Sequence, residues 1–186
     1  EARVLSSMKA ARVAASSQLQ GPSGGVKAPH AELIAKVHDA LYASKIVSYA
    51  QGFDLMRAMS EKKSWQLDFA GIASIWRGGC IIRARFLSHI TEAYRSEPQL
   101  PNLMLAPFFA DHLRRSIPSL RRVVAAGALH GLGLPALSAG LAWFDLMRTA
   151  RGTANMIQGQ RDFFGLHGFQ RLDDIDRPHG PWAHQA

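Results

Sequence analysis

The chain is short of cysteine, of long apolar runs and of acidic charge, and each shortage closes off a class of protein. Cys80 is the only cysteine among 186 residues. No disulfide can form within the chain and no thiolate cluster can hold a metal, so a reducing compartment, the cytoplasm, is the expected address. No stretch of about 18 or more uninterrupted apolar residues occurs and the first residues lack a signal-peptide core, so neither a membrane partner nor secretion is expected. Acidic residues number 14 against 22 lysines and arginines, which leaves a net charge of +8 and a pI of about 10.3. That excess predicts attraction to an anion: nucleic acid, a membrane surface or a phosphorylated metabolite. Strands are also missing, because valine, isoleucine and threonine nowhere alternate with polar residues over a strand's length.

What is present reads as helix. Hydrophobic residues make up 47% and charged residues 19%, the balance of a folded domain rather than a disordered chain. At this length one large domain, or one plus a tail, is expected. An alanine-rich helix over 2–18 ends at Gly21-Pro22-Ser23-Gly24-Gly25. A long helix runs from Ala31 to about Lys62. Leu33, Val37 and Leu41 share one face of it, while Ile34, Ile46, Tyr49, Phe53 and Met56 spread apolar character to the others, which predicts burial on most sides. Asp68 is placed to cap a short helix holding Ile72, Ile75 and Trp76; Gly78-Gly79 bends the chain before helix resumes over Ile81 to Tyr94. Pro98 and Pro101 mark a loop, Pro107 suits a helix start, and Pro118 should kink or divide the helix over Phe108 to Leu129. Gly131, Gly133 and Pro135 separate that helix from the next, Leu137 to Thr149, and a last one covers Ala154 to Phe163. Periodicity is lost after Gly165, which predicts an all-α domain over 1–165 and an extended tail over 166–186 with Phe169 and Trp182 as aromatic anchors.

The glycine run at 21–25 contains proline and joins helix to helix, so it reads as a linker and not as a dinucleotide fingerprint. Eight histidines are present without a His-x-x-x-His pair around a glutamate, and His179 and His184 lack a third ligand, so zinc is not expected. Arg83, Arg85, Arg114, Arg115, Arg121 and Arg122 read first as solvated faces of amphipathic helices. A basic helical module binding nucleic acid or an acidic protein is the alternative reading, weakened by Pro118 where a recognition helix would have to run. The most informative stretch is Ile157-Gln158-Gly159-Gln160-Arg161-Asp162-Phe163-Phe164-Gly165-Leu166-His167. Arg161 offers a planar fork matched to phosphate or carboxylate, His167 can exchange a proton near neutral pH, and Gly165 lets the chain turn out of the helix.

Three motifs in order, Ser44-Lys45-Ile46-Val47-Ser48-Tyr49-Ala50-Gln51-Gly52, Ile75-Trp76-Arg77-Gly78-Gly79-Cys80-Ile81-Ile82-Arg83 and the 157–167 segment, closely resemble the C-terminal helical domain of 6-phosphogluconate dehydrogenase (decarboxylating). Ala2-Arg3-Val4-Leu5-Ser6-Ser7-Met8-Lys9 and Asn102-Leu103-Met104-Leu105-Ala106-Pro107-Phe108-Phe109 carry the same likeness, which weakens after His167. The resemblance implies an NADP-dependent oxidative decarboxylation of 6-phosphogluconate to ribulose 5-phosphate in the pentose phosphate pathway. It further implies that the general base, a lysine, the acid, a glutamate, and the NADP-binding Rossmann domain all lie upstream of Glu1, which also lacks an initiator methionine. The chain is thus expected to be a piece, inactive alone. Arg3 matches the family arginine that holds the substrate phosphate from its own subunit. Arg161 and His167 match the pair that reaches the substrate of the partner in a homodimer with exchanged tails; nucleic acid is then not an expected partner. Phe163, Leu166 and Gly168 replace a frequent tyrosine, alanine and threonine, and Arg151-Gly152-Thr153 replaces a Leu-Pro stretch.

Overall fold

The computed structural model describes residues 2–79, 85–173 and 176–184. Among them the chain forms eight α-helices and two 3-10 turns and no strand, the all-α architecture the sequence pattern predicts. Packing divides it into two compact units, Glu1–Trp143 and Phe144–Ala186.

The first unit is organised on α3, His30–Lys63, 34 residues long and so about 50 Å at the helical rise. Ala40, Ala43, Ile46, Val47, Ala50 and Phe53 are at most 1% exposed. Their spacing of three and four places them on one stripe, and the three alanines let a neighbouring backbone come close. That neighbour is α6, Pro107–Leu129, which returns Phe109, Leu113, Ile117 and Leu120 to the same seam. Burial is narrower than the sequence pattern suggests. Ile34, Leu41 and Leu55 stay more than half exposed, because none of the described residues of this unit covers their side of α3.

Pro118 does not divide α6: the helix is unbroken from Pro107 to Leu129. The proline is exposed, while Ser116, Ile117, Ser119 and Leu120 around it are buried. Ser119 Oγ donates to Asp39 Oδ2 of α3 at 3.3 Å. Packing on both sides of the ring carries the helix past the one backbone donor that proline lacks, the one that would pair with the carbonyl of exposed Arg114.

Near the N-terminus the single helix expected over 2–18 is instead α1, Ala2–Ser7, and α2, Lys9–Gln18, parted at Met8 (φ −85°, ψ 54°). α2 buries none of its side chains, so no packing enforces continuity there. Asp68 caps α4, Phe69–Gly79, as expected, its Oδ1 accepting from the Gly71 N–H at 3.0 Å. α4 packs on α5, Phe86–Ser96, and Phe53, Phe69, Trp76 and Tyr94 meet in a cluster with ring centroids 5.1–6.0 Å apart. Gly78 and Gly79, expected to bend the chain, are instead the last two residues of α4; the motif residues Cys80, Ile81, Ile82 and Arg83 lie outside the described residues.

The Asn102 motif fastens the loop before α6 to α3. Asn102, 1% exposed, donates through Nδ2 to Asp54 Oδ2 at 2.8 Å and accepts through Oδ1 from the Met104 N–H at 2.9 Å. Arg57 Nη2 donates to the Leu100 carbonyl beside it. α7 runs Pro135–Met147 and α8 Ala154–Gly165. No helix among the described residues is long and apolar enough to cross a membrane.

Pro118→Ala restores a donor to the Arg114 carbonyl on an exposed face. It is expected to stabilise the chain by about 2 kcal/mol, the helix-interior cost of proline less its benefit in the unfolded chain. Thermal unfolding checks this; a lower midpoint would show that a bend set by the ring is needed for the α3 seam.

Candidate functional site

The second unit is built around α8 and the segment that follows it. Leu166, not Gly165, takes the left-handed step that ends the helix (φ 48°, ψ 39°), its N–H donating to the Asp162 carbonyl at 2.9 Å. Gly165 stays helical, and its smallness serves a different purpose from the one expected. A Cβ at that position would lie 2.8 Å from His167 Nε2, so the missing side chain makes room for the imidazole folded against the helix end. Gly168 follows at φ +75°, a conformation that L side chains rarely adopt.

A non-glycine residue in the left-handed region costs about 1–2 kcal/mol, so the turn must be imposed from elsewhere. Asp162 imposes it. Its carboxylate is fully buried and accepts four hydrogen bonds. Oδ1 takes the Gly168 N–H at 2.8 Å and meets His179 Nδ1 at 2.6 Å; Oδ2 takes the Gly180 N–H at 2.9 Å and Trp182 Nε1 at 2.8 Å. Burial alone pushes this carboxyl up, but the His179, Gly180, Gly168 and Trp182 bonds outweigh it and hold the group well below the usual carboxylate range. Because Asp162 is ionised and can only accept, the His179 proton must sit on Nδ1.

Asp162 was not singled out by spacing, yet a signal existed: an aspartate in the last turn of a helix opposes the helix dipole and needs donors from outside the helix. Both aromatic anchors converge here. Trp182 meets Phe169 at 6.3 Å and Phe163 edge-on at 5.8 Å, so the Phe163 ring packs on the tail.

Around this carboxylate the structure brings two of the three expected site residues to one helix end. Arg161 is exposed on α8, and its Nη1 donates to Gln158 Oε1 at 3.1 Å. Gln158 Nε2 donates in turn to the Gly168 carbonyl at 2.6 Å, next to the exposed His167. Arg3 falls in α1, and its side chain lies outside the described residues. A cleft of about 900 Å³ in the same unit is bordered by Arg151, Asn155, Gln158 and Arg171, but neither Arg161 nor His167 lines it. Arg171 grips Asp173 through Nε and Nη2 at 3.0 and 2.5 Å and donates to the His179 carbonyl at 3.1 Å, so its charge serves the tail's own structure.

Arg161 and His167 are thus both exposed at the C-terminal end of α8 in an all-helical chain. The family model for the C-terminal domain of 6-phosphogluconate dehydrogenase matches residues 1–182, and the chain belongs to that family. It is 49% identical over 173 residues to a decarboxylating 6-phosphogluconate dehydrogenase of Schizosaccharomyces pombe, covering 93% of this chain and 35% of the relative. The Escherichia coli relative of the same name is 48% identical over 181 residues, covering 97% and 39%. A solved structure of the Plasmodium falciparum 6-phosphogluconate dehydrogenase, studied apo, with its cofactor NADP+ and with its substrate 6-phosphogluconate, matches with a TM-score of 0.88. It is 37% identical and covers 97% of this chain and 39% of that one. The chain thus spans less than two fifths of the length of the relatives it matches.

Asp162→Asn replaces one acceptor oxygen with a donor facing two N–H groups, so the 168–182 segment is expected to lose order. Because the folded-state pKa is depressed, the wild-type contribution is fully present above the ordinary carboxylate value. It is lost progressively as pH falls from about 4 toward the lower folded value. Hydrogen exchange at the Gly168 and Gly180 amides reads both effects; protection that survives the substitution would remove Asp162 as the organiser.

Proposed function

We propose that this chain is the substrate-binding and dimerisation domain of a cytoplasmic, NADP-dependent 6-phosphogluconate dehydrogenase, and that its own chemical task is recognition of the substrate phosphate. The observation that carries the reading is the exposed Arg161 guanidinium, held at one corner by Gln158 on the helix that the exposed His167 follows, in a chain of this family. A phosphate dianion needs several cations, and a planar fork matches it in both charge and shape.

The conversion proposed for the whole protein oxidises the C3 hydroxyl of 6-phosphogluconate, after which the β-keto acid loses carbon dioxide and the enediol tautomerises to ribulose 5-phosphate. The glycine-rich run 21–25 is a proline-containing stretch between helices α2 and α3 and does not have the setting of a dinucleotide loop. On this reading NADP, the base lysine and the acid glutamate are supplied from outside these 186 residues, as the family resemblance implies. Within this chain Arg161 grips the phosphate oxygens, and His167 gives or receives a hydrogen bond at a phosphate or hydroxyl oxygen. Arg3 adds a second cation from its own subunit.

The division of labour across two subunits has support from exposed apolar side chains. Val4, Leu5, Val13, Leu41, Leu55 and Phe164 are each more than half exposed. Such surface favours cover by a second copy, with 166–186 as the tail that reaches across.

Assayed alone, the chain is expected to form no NADPH from 6-phosphogluconate; turnover would show that it carries an active site of its own. In the complete enzyme, Arg161→Ala is expected to raise the KM for 6-phosphogluconate by about 10- to 100-fold, the loss of a charge-assisted bond pair. The KM for NADP should hold, and an unchanged substrate KM would take Arg161 out of the site.

A further inference from the structure

Gln158 lies half-buried one turn before Arg161 and bonds in two directions. Its Oε1 accepts from Arg161 Nη1 at 3.1 Å and its Nε2 donates to the Gly168 carbonyl at 2.6 Å. The amide can face only one way, because a guanidinium only donates and a carbonyl only accepts, so a flipped amide would lose both bonds. Gly168 directly follows His167, and its own N–H is fixed by Asp162 Oδ1 at 2.8 Å. One side chain thus spans from the arginine fork to the loop that carries the imidazole.

An exposed glutamine and arginine three residues apart on a helix would ordinarily meet in one of several arrangements. The bond to Gly168 selects the rotamer in which the glutamine carbonyl faces the arginine. Gln158 uses Nη1, which leaves the Nε and Nη2 edge, two parallel donors, open to an anion.

We propose that Gln158 is a positioning residue for the phosphate subsite. It holds the arginine fork in its binding rotamer and locks that rotamer to the loop of His167, so that the two groups arrive at a ligand as one preorganised unit. This rests on the reading of Arg161 as a phosphate ligand.

The test is a double-mutant cycle in the complete enzyme with 6-phosphogluconate as the varied substrate. Gln158→Met keeps bulk and flexibility but neither bond; Gln158→Asn keeps an amide one methylene too short to bridge, and guards against a packing fault in the first variant. Each is expected to raise the KM for 6-phosphogluconate by about three- to tenfold, the share of one hydrogen bond. kcat and the KM for NADP should hold, and the penalty should shrink in an Arg161→Ala background to the part carried by the His167 loop. Unchanged KM in both variants, with Arg161→Ala still impaired, would overturn the positioning role and leave the phosphate reading standing. A penalty that persists undiminished without Arg161 would overturn it too. No effect of Arg161→Ala itself would sink the phosphate reading, and this inference with it.

Discussion

The buried carboxylate of Asp162 is the constraint on which the C-terminal unit depends. A charge out of contact with water is tolerated only when its lone pairs are filled, and four donors from four residues fill these. The donors come from both ends of the 168–182 stretch, so the chain must double back for them to converge. A segment without helical periodicity is in this way ordered by an ion and its hydrogen bonds, where the first unit is ordered by an apolar seam. The left-handed Leu166 and Gly168 are consequences of that closure, and the placement of His167 follows from them.

Much of the fold was legible because short-range chemistry decides it. Asp68 as a cap, Pro107 as a helix start and Pro135 after Gly131 and Gly133 are each set by one or two residues, and they stand where the pattern places them. The misses share a cause: tertiary contacts outweighed a local rule. Pro118 breaks helices in isolation, but here buried neighbours on either side carry the backbone through. At Met8 the reverse holds, since alanine-rich propensity had no packing behind it and the helix parted. Exposed Ile34 and Leu41 looked like core because composition reports that a face is apolar, without saying which chain covers it.

The site was half legible. Arg161 and His167 stand out by type and spacing, though spacing alone offers only a generic anion site, and the ligand proposed for it comes from the family. Gln158 and Asp162 were invisible to that approach because neither carries a charge to the surface; they matter through what they hold. Gly165 drew notice for the wrong reason, since conformational freedom is used one residue later and the glycine is needed for the space its absent side chain leaves to His167. Periodicity draws a boundary at 165, whereas packing groups α8 with the tail from 144 onward. α8 carries both the arginine and the aspartate that shapes the loop beyond it, which makes the helix end and the tail one functional element.

The central claim is that Arg161 and His167 complete a site whose base, acid and cofactor belong to another subunit. Subunit complementation tests it most directly. Complete enzyme carrying Arg161→Ala is dissociated and reassociated with enzyme inactivated at its upstream lysine, and activity is read well below substrate saturation. A shared site predicts recovery to roughly a quarter of wild-type sites, the statistical share for random pairing in a symmetric dimer, because the mixed dimer holds one intact combination. If each subunit serves only its own substrate, reassociation restores nothing, and the shared site is contradicted.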